Sequence, residues 1–181
     1  MTSPLWWFVA RASGIVAWAL LTGTVLAGVL IPGRLSARQR PAWFLDLHRW
    51  LGGLTLGFVA LHLVALLADS YVTFTVWSLV VPLASPWKPV PVALGVVALW
   101  ALAAVESTSL AMRRLPRRWW RRIHLCSYAA FFLTSLHGTF AGADAANPAY
   151  QLLSLVSLAA VVFATVFRVM TRRPARPAPA P

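Results

Sequence analysis

The side chains best suited to metal chemistry in this sequence are four histidines, each inside an apolar run. They are His48, His62, His124 and His137, and the sequence has no others. The first two are 14 residues apart and the last two are 13 apart, which in an α-helix corresponds to axial rises of about 21 and 19.5 Å. Two helices that run in the same direction would therefore present their histidines at two matching depths.

Pairing across those helices places His48 opposite His124 and His62 opposite His137. Neutral imidazole nitrogens on opposite faces of a flat macrocycle give six-coordinate haem iron. The spacing therefore predicts two haem sites stacked across a membrane, with the four histidines as axial ligands.

Two alternatives start from the same residues. A single intramembrane histidine can serve in an interhelical hydrogen bond, and several can form a metal-ion or proton site in a non-redox transporter or sensor. The histidines of one helix are about 20 Å apart and no carboxylate cluster joins them, which counts against the metal ion.

Two histidines on one face of a helix suit the proposed sites, and this condition is met better by His48 and His62 than by His124 and His137. Fourteen residues at about 100° each return His62 to within about 40° of His48. Thirteen residues leave His137 about 140° from His124, so a bend, a π-bulge or ligation from the helix flank has to bring them together. Bare backbone beside the ligands would make room for a macrocycle, and the glycines near the histidines are Gly52, Gly53, Gly57 and Gly138. Small residues also let membrane helices pack closely, so these glycines add little to the haem interpretation.

The composition of the chain is that of a membrane protein. Of the 181 residues, 60% are hydrophobic and 11% are charged, and the mean hydropathy is +0.73. Soluble domains are about half apolar and about a quarter charged. The net charge of +12 comes mainly from arginine clusters at the ends of apolar runs. That distribution orients membrane helices, and it argues against nucleic acid as a partner.

Five apolar runs are long enough to cross about 30 Å of hydrocarbon. They predict helices at 5–31, 43–68, 90–112, 123–141 and 150–170. Arginine clusters follow the first, third and fifth runs, so we predict the N-terminus outside the cell and the C-terminus inside. The predicted fold class is an all-α membrane bundle of five helices over residues 1–170. A disordered cytoplasmic tail of proline, alanine and arginine is expected at 171–181. The apolar loop at 71–86 contains prolines and is predicted to cap the outer face.

Arg11 is a charged residue about two turns into the predicted first helix, where a charge without a partner is costly. We predict that Arg11 binds the cofactor through a salt bridge to a propionate of the outer haem. The alternatives are snorkelling to the outer headgroups and pairing with Asp69. The arginines at the inner end are expected to contact anionic membrane lipid, and one or two of them could hold inner-haem propionates.

The histidine pairs, with thirteen and twelve residues between their members, resemble the transmembrane domain of ferric reductases and NADPH oxidases. The haem-binding membrane subunit of bacterial methionine sulfoxide reductase systems belongs to the same superfamily. The stretches most similar to short stand-alone bacterial members are RASGIVAWALL, LHRWLGGLTLGFVALHLVALLAD, STSLAMRRLPRRWWRRIHLCSYAAFFLTSLHG and AGADA. The likeness runs from Trp6 to Phe167. It implies two b-type haems that carry electrons across a plasma membrane, here a bacterial inner membrane.

Larger members of this superfamily carry a cytosolic flavin and nicotinamide domain after the last helix. This sequence contains no G-x-G-x-x-G or other phosphate-cradling loop, so a separate electron donor is expected, either a flavoprotein reductase or a quinol. The resemblance implies a membrane oxidoreductase that passes electrons to an acceptor at the outer face. The alternative is a haem-containing subunit that feeds a periplasmic methionine sulfoxide reductase-type enzyme. The residues decide neither the direction of net electron flow nor the oligomeric state.

Overall fold

The computed structural model describes residues 4–31 and 43–171, and the regular elements within those ranges are all helices. The helices are α1 (Leu5–Leu30), α2 (Trp43–Ala68), α3 (Val76–Val80), α4 (Pro89–Leu110), α5 (Arg117–His124), α6 (Cys126–Ala141) and α7 (Pro148–Met170). The all-α prediction is confirmed for this part of the chain. The arginines predicted to orient the first helix (34–40) and the predicted tail from 172 onward lie outside the described residues.

Four of these helices are long and apolar enough to cross a membrane. They are α1, α2, α4 and α7, with 26, 26, 22 and 23 residues and mean hydropathies of 1.9, 2.1, 1.9 and 2.2. At 1.5 Å per residue each exceeds the roughly 30 Å thickness of the hydrocarbon core. The chain is therefore a multi-pass integral membrane protein, and the observed bounds of these four helices lie within two residues of the predicted ones.

The fifth predicted span, 123–141, is divided in the structure. The eight-residue helix α5 ends at His124, and α6 begins at Cys126 and has 16 residues. The amide of Leu125 bonds to the carbonyl of Arg121, whereas the amide of Tyr128 bonds only three residues back, to the carbonyl of Leu125. By itself α6 is shorter than the four long helices, so the five-span bundle and its orientation stay predictions.

Local sequence explains where several helices begin. Proline occupies the first turn of α4 and of α7, where its missing N–H is not needed by the helix. The side chain of Asn147 caps α7 by accepting a hydrogen bond from the amide of Ala149. In α3, Thr75 and Ser78 form a capping box, which lets a helix of only five residues hold its place in the loop between α2 and α4.

Helix α1 is the centre of the bundle. It packs along α2 and also contacts α6 and α7, while α4 packs along α6. The buried core joins four helices through Leu21, Val25 and Val29 of α1, Leu102 of α4, Ala130 and Phe131 of α6, and Val161 of α7. The guanidinium of Arg168 on α7 donates to the carbonyls of Gly28 and Val29, which ties α7 to the last turn of α1. The histidines lie on the hairpin α1–α2 and on the unit formed by α4, α5 and α6, and these two parts therefore share one core.

Candidate functional site

The structure brings His48 and His124 together. Their ring centroids are 6.0 Å apart and the ring planes are inclined by 68°. His48 lies in α2 and His124 is the last residue of α5. We refer to this pair and its surroundings as the 48/124 site.

His62 and His137 line a common cavity at the opposite end of the bundle. The cavity is mostly apolar, and α1, α2, α4 and α6 all contribute to its wall. Phe74, Leu79 and Trp87, from the segment between α2 and α4, also line it. That segment therefore closes the end of the bundle near His62, as a capping loop would. We refer to this pair and its cavity as the 62/137 site.

Three of the four imidazoles are held in the same way, by a backbone carbonyl of a neighbouring helix. Nδ1 of His48 is 3.0 Å from the carbonyl oxygen of Thr24, and Nδ1 of His62 is 2.8 Å from that of Ala10. Nδ1 of His137 is 2.8 Å from the carbonyl oxygen of Pro91. A carbonyl can only accept, so each Nδ1 must carry the proton and donate it. The lone pair of each neutral ring is then on Nε2, the atom left to bind a metal.

A glycine one turn after each of these carbonyls makes the hydrogen bond possible. A methyl group on Gly14 would lie 3.1 Å from Nδ1 of His62, and one on Gly95 would lie 2.8 Å from Nδ1 of His137. A methyl group on Gly28 would lie 3.1 Å from Cε1 of His48. Each imidazole therefore rests directly on the backbone of its neighbour, which only glycine leaves open.

His124 is held differently, because its Nδ1 is 3.3 Å from the hydroxyl of Ser109 on α4. The ring of His124 also stacks on the indole of Trp120, with centroids 5.0 Å apart and planes inclined by 24°. The interruption of the helix at Leu125 lies between His124 and His137. The backbone therefore departs from a continuous α-helix at the place where the 13-residue spacing required a change of phase.

The glycines that sequence reasoning selected do not have the role expected of them. A methyl group on Gly53 or Gly57 would meet no described atom within 4 Å, and these residues are about 140° and 180° around α2 from His48. Gly52 instead accommodates the carboxylate of Glu106, and Gly138 accommodates the hydroxyl of Tyr150. The bare backbone beside the imidazoles lies on α1 and α4. A signal for it was present in the sequence, since Gly14 and Gly28 have the same 14-residue spacing as His48 and His62.

Arg11 lies at the cavity of the 62/137 site and pairs with Asp144, from the loop between α6 and α7. Its Nε donates to Oδ2 of Asp144 over 3.0 Å, and its Nη2 contacts Oδ1. This hydrogen bond with the guanidinium lowers the pKa of the Asp144 carboxyl below its ordinary value. Asp69, the partner considered from the sequence, accepts from the amide of Val72 instead. Arg11 thus lies at the same cavity as His62 and His137, with an acidic partner that the sequence did not suggest.

The 48/124 site has basic and aromatic surroundings. The guanidinium of Arg122 lies 5.5 Å from the ring centroid of Trp119, and α5 carries four arginines in eight residues. The indole Nε1 of Trp120, beside His124, is buried and has no hydrogen-bond partner among the described residues. A buried donor without an acceptor is costly. A carboxylate or carbonyl oxygen of a bound group would therefore supply the acceptor that the N–H of Trp120 lacks.

Within residues 4–31 and 43–171, no three histidine, cysteine, aspartate or glutamate side chains cluster as a metal site. Each site offers two imidazoles, which is the number that the two axial positions of haem iron require. A tetrahedral ion such as zinc takes four ligands.

The family model described as "Ferric reductase like transmembrane component" matches residues 13–135, which is over half of the chain. The chain belongs to this family. Domains of the ferric reductase-like family generally bind haem. The matched range includes three of the four histidines and ends two residues before His137. Searches of curated proteins and of solved structures found no match.

Proposed function

We propose that this ferric reductase-like protein holds two b-type haems and conducts electrons across the membrane between them. His48 and His124 would be the axial ligands of one haem, and His62 and His137 those of the other. The observation that carries the proposal is the hydrogen bond at Nδ1 of each imidazole. Metal-ligating histidines almost always engage the second ring nitrogen in this way, and the bond fixes both tautomer and ring orientation.

The geometry of the 48/124 site and the lining of the 62/137 site support the same proposal. Metal–imidazole nitrogen bonds are about 2 Å long, so a centroid separation of 6.0 Å at the 48/124 site leaves room for one metal atom between the rings. The 62/137 site supplies a cavity to which four helices contribute. Its apolar wall suits a macrocycle, and Arg11 suits a propionate.

Haem iron with two histidine ligands supplies one-electron redox chemistry. The chain's own part is to hold four Nε2 atoms in place, to exclude water from the 62/137 cavity and to place charge around each site. Apolar side chains and the segment with Phe74, Leu79 and Trp87 provide the exclusion. The arginines of α5 provide positive charge at the 48/124 site.

The distribution of arginines gives the membrane orientation and the partners that we propose. The 48/124 site, beside α5, would face the cytoplasm and receive electrons from a separate flavoprotein or from quinol. The 62/137 site would face outward and deliver electrons to an acceptor there. The part of the chain between Ser107 and Gly142 contains no acidic residue, so a negatively charged donor or anionic lipid would be attracted to this end.

The test is a reduced-minus-oxidised spectrum of the purified protein together with a pyridine haemochrome assay of haem per chain. We expect two b-type haems in the unaltered chain and about one in each of His62→Ala and His124→Ala. Thr165→Ala, which removes a hydroxyl bonded within α7, is the matched control and should keep two. A folded, monodisperse protein that was expressed with haem available and contains none would overturn the proposal.

A further inference from the structure

The two histidine-bearing hairpins are built on one repeated pattern, and the pattern has a single departure. In the first hairpin, the backbone of Gly14 faces His62 and that of Gly28 faces His48. In the second, Gly95 faces His137, and Ser109 contacts His124. Gly14 and Gly28 are 14 residues apart, as are Gly95 and Ser109. Ser109 therefore stands where the pattern has glycine.

The side chain at this position changes how the imidazole can be held. At the other three histidines, the carbonyl that accepts from Nδ1 lies four residues before the glycine, at Ala10, Thr24 and Pro91. The equivalent carbonyl for His124 would be that of Val105. Among the described residues, that carbonyl accepts from the hydroxyl of Thr108 instead of from His124. Nδ1 of His124 lies 3.3 Å from the hydroxyl of Ser109, which can act as its acceptor.

A hydroxyl and a helix carbonyl are not equivalent partners. The carbonyl is a fixed acceptor, which keeps the proton on Nδ1 and makes the ring a more electron-rich ligand. The hydroxyl rotates and can also donate, and its contact at 3.3 Å is longer than the 2.8–3.0 Å of the other three. A longer hydrogen bond to a mobile acceptor leaves the ring less electron-rich.

We propose that Ser109 is the positioning residue of His124 and sets the electron affinity of the 48/124 site apart from that of the 62/137 site. This inference rests on the proposed haem function. Ser109 acts through His124 and does not itself touch the haem iron. Its hydroxyl keeps Nε2 free to bind iron, while giving His124 the weakest support of the four ligands.

Redox titration of the purified, haem-loaded protein tests this inference. Ser109→Ala removes the acceptor, and we expect the midpoint potential of the 48/124 haem to rise, because a less electron-rich imidazole stabilises ferric iron less. The expected change is roughly threefold to tenfold in the one-electron equilibrium constant, which is about 59 mV at the upper end. The potential of the 62/137 haem should not move. The two potentials are assigned by which one disappears in His124→Ala.

Two further variants separate positioning from general structural damage. Ser109→Thr keeps a hydroxyl and should hold the 48/124 potential near that of the unaltered chain. Thr165→Ala removes a hydroxyl that bonds within α7, to the carbonyl of Val161, and should change neither potential. If Ser109→Ala keeps both haems with both potentials unmoved, or if it shifts both equally, the inference is wrong although the haem proposal stands. If the unaltered chain binds no haem, both fail.

Discussion

His137 and His124 belong to the same stretch of chain, yet the structure supports them in different ways. His137 rests on the bare backbone of Gly95 and donates to a carbonyl of α4. His124 stands at the end of a short helix, stacked on Trp120 and within reach of a hydroxyl. His137 is thus positioned by backbone and His124 by side chains.

The charged residues around the two sites also differ. At the 62/137 site the guanidinium of Arg11 is balanced by the carboxylate of Asp144. At the 48/124 site Asp46 pairs with Arg49, but the stretch from Ser107 to Gly142, which carries the four arginines of α5, contains no acidic residue. One scaffold with two matching imidazole pairs can therefore give its two sites different affinities for an electron, because ligand support and local charge both set redox potential.

The largest effect is expected at Gly95, where the backbone positions the imidazole of His137. A methyl group on Gly95 would lie 2.8 Å from Nδ1 of His137, so Gly95→Ala must displace the imidazole or part the helices. We expect the haem content to fall by about one per chain, and overpacking to lower the free energy of unfolding by about 1–3 kcal/mol. The measurements are the haemochrome assay and thermal unfolding.

Gly57→Ala is the matched control, because a methyl group there meets no described atom within 4 Å. It should keep both haems and unfold at nearly the temperature of the unaltered chain. Full haem content in Gly95→Ala would show that His137 does not depend on the bare backbone of α4. The distinction drawn between the two sites would then fail.

A smaller effect, confined to the other site, is expected from Trp120→Phe. This change keeps a ring to stack on His124 and removes only the buried indole N–H that has no partner among the described residues. If that N–H donates to a carboxylate of the haem at the 48/124 site, the bond contributes about 1.5–3 kcal/mol. Haem transfer to apomyoglobin should then be at least about tenfold faster from this site.

Trp119→Phe provides the comparison for that experiment, since Trp119 is exposed on the same helix. It should lose haem at the rate of the unaltered chain. Equal rates for the two variants would mean that the buried N–H of Trp120 does not hold the haem.

The long helices were predictable from the residues alone because a membrane span has a strong signal. Runs of about twenty apolar residues are the length that crosses a bilayer and are longer than ordinary buried helices need. The bounds of α1, α2, α4 and α7 were accordingly predicted to within two residues. The break at Leu125 was not located, because nothing in the apolar run 123–141 marks it. The phase of the histidines showed only that some change of geometry was needed.

The histidines of the candidate site could be predicted from the sequence, but the groups that hydrogen-bond to them could not. The pairing of His48 with His124 follows from depth along two helices, and the structure places their rings together. The acceptors for Nδ1 are carbonyls, which every residue has, so no side-chain type identifies Thr24 or Pro91 in advance. Asp144 could not be matched to Arg11, because 133 residues separate them and only packing brings them together.

The smallest effect is expected from Asp144→Asn. The Arg11–Asp144 pair is partly exposed, with 33% and 22% of the two side chains accessible, and such pairs contribute about 0–1 kcal/mol. Because Arg11 lowers the pKa of Asp144, the pair stabilises the folded chain above the ordinary aspartate pKa and loses that contribution as the pH falls through the lowered value. Thermal unfolding should therefore distinguish Asp144→Asn from the unaltered chain slightly at pH 7, and no longer at pH values below that pKa.

Variants of the Arg11–Asp144 pair also test whether Arg11 binds the cofactor. If Arg11 served only Asp144, Arg11→Gln and Asp144→Asn would break one ion pair and have matching consequences. If Arg11 instead holds a propionate at the 62/137 site, Arg11→Gln should speed the loss of that haem several-fold, whereas Asp144→Asn should not, because it leaves the guanidinium free for the propionate. Haem-transfer rates of the two variants separate these cases, and equal rates would assign Arg11 to the α6–α7 loop alone. Arg11 is a positive charge that could make the 62/137 site resemble the arginine-rich 48/124 site, so this comparison also measures how different the two sites are.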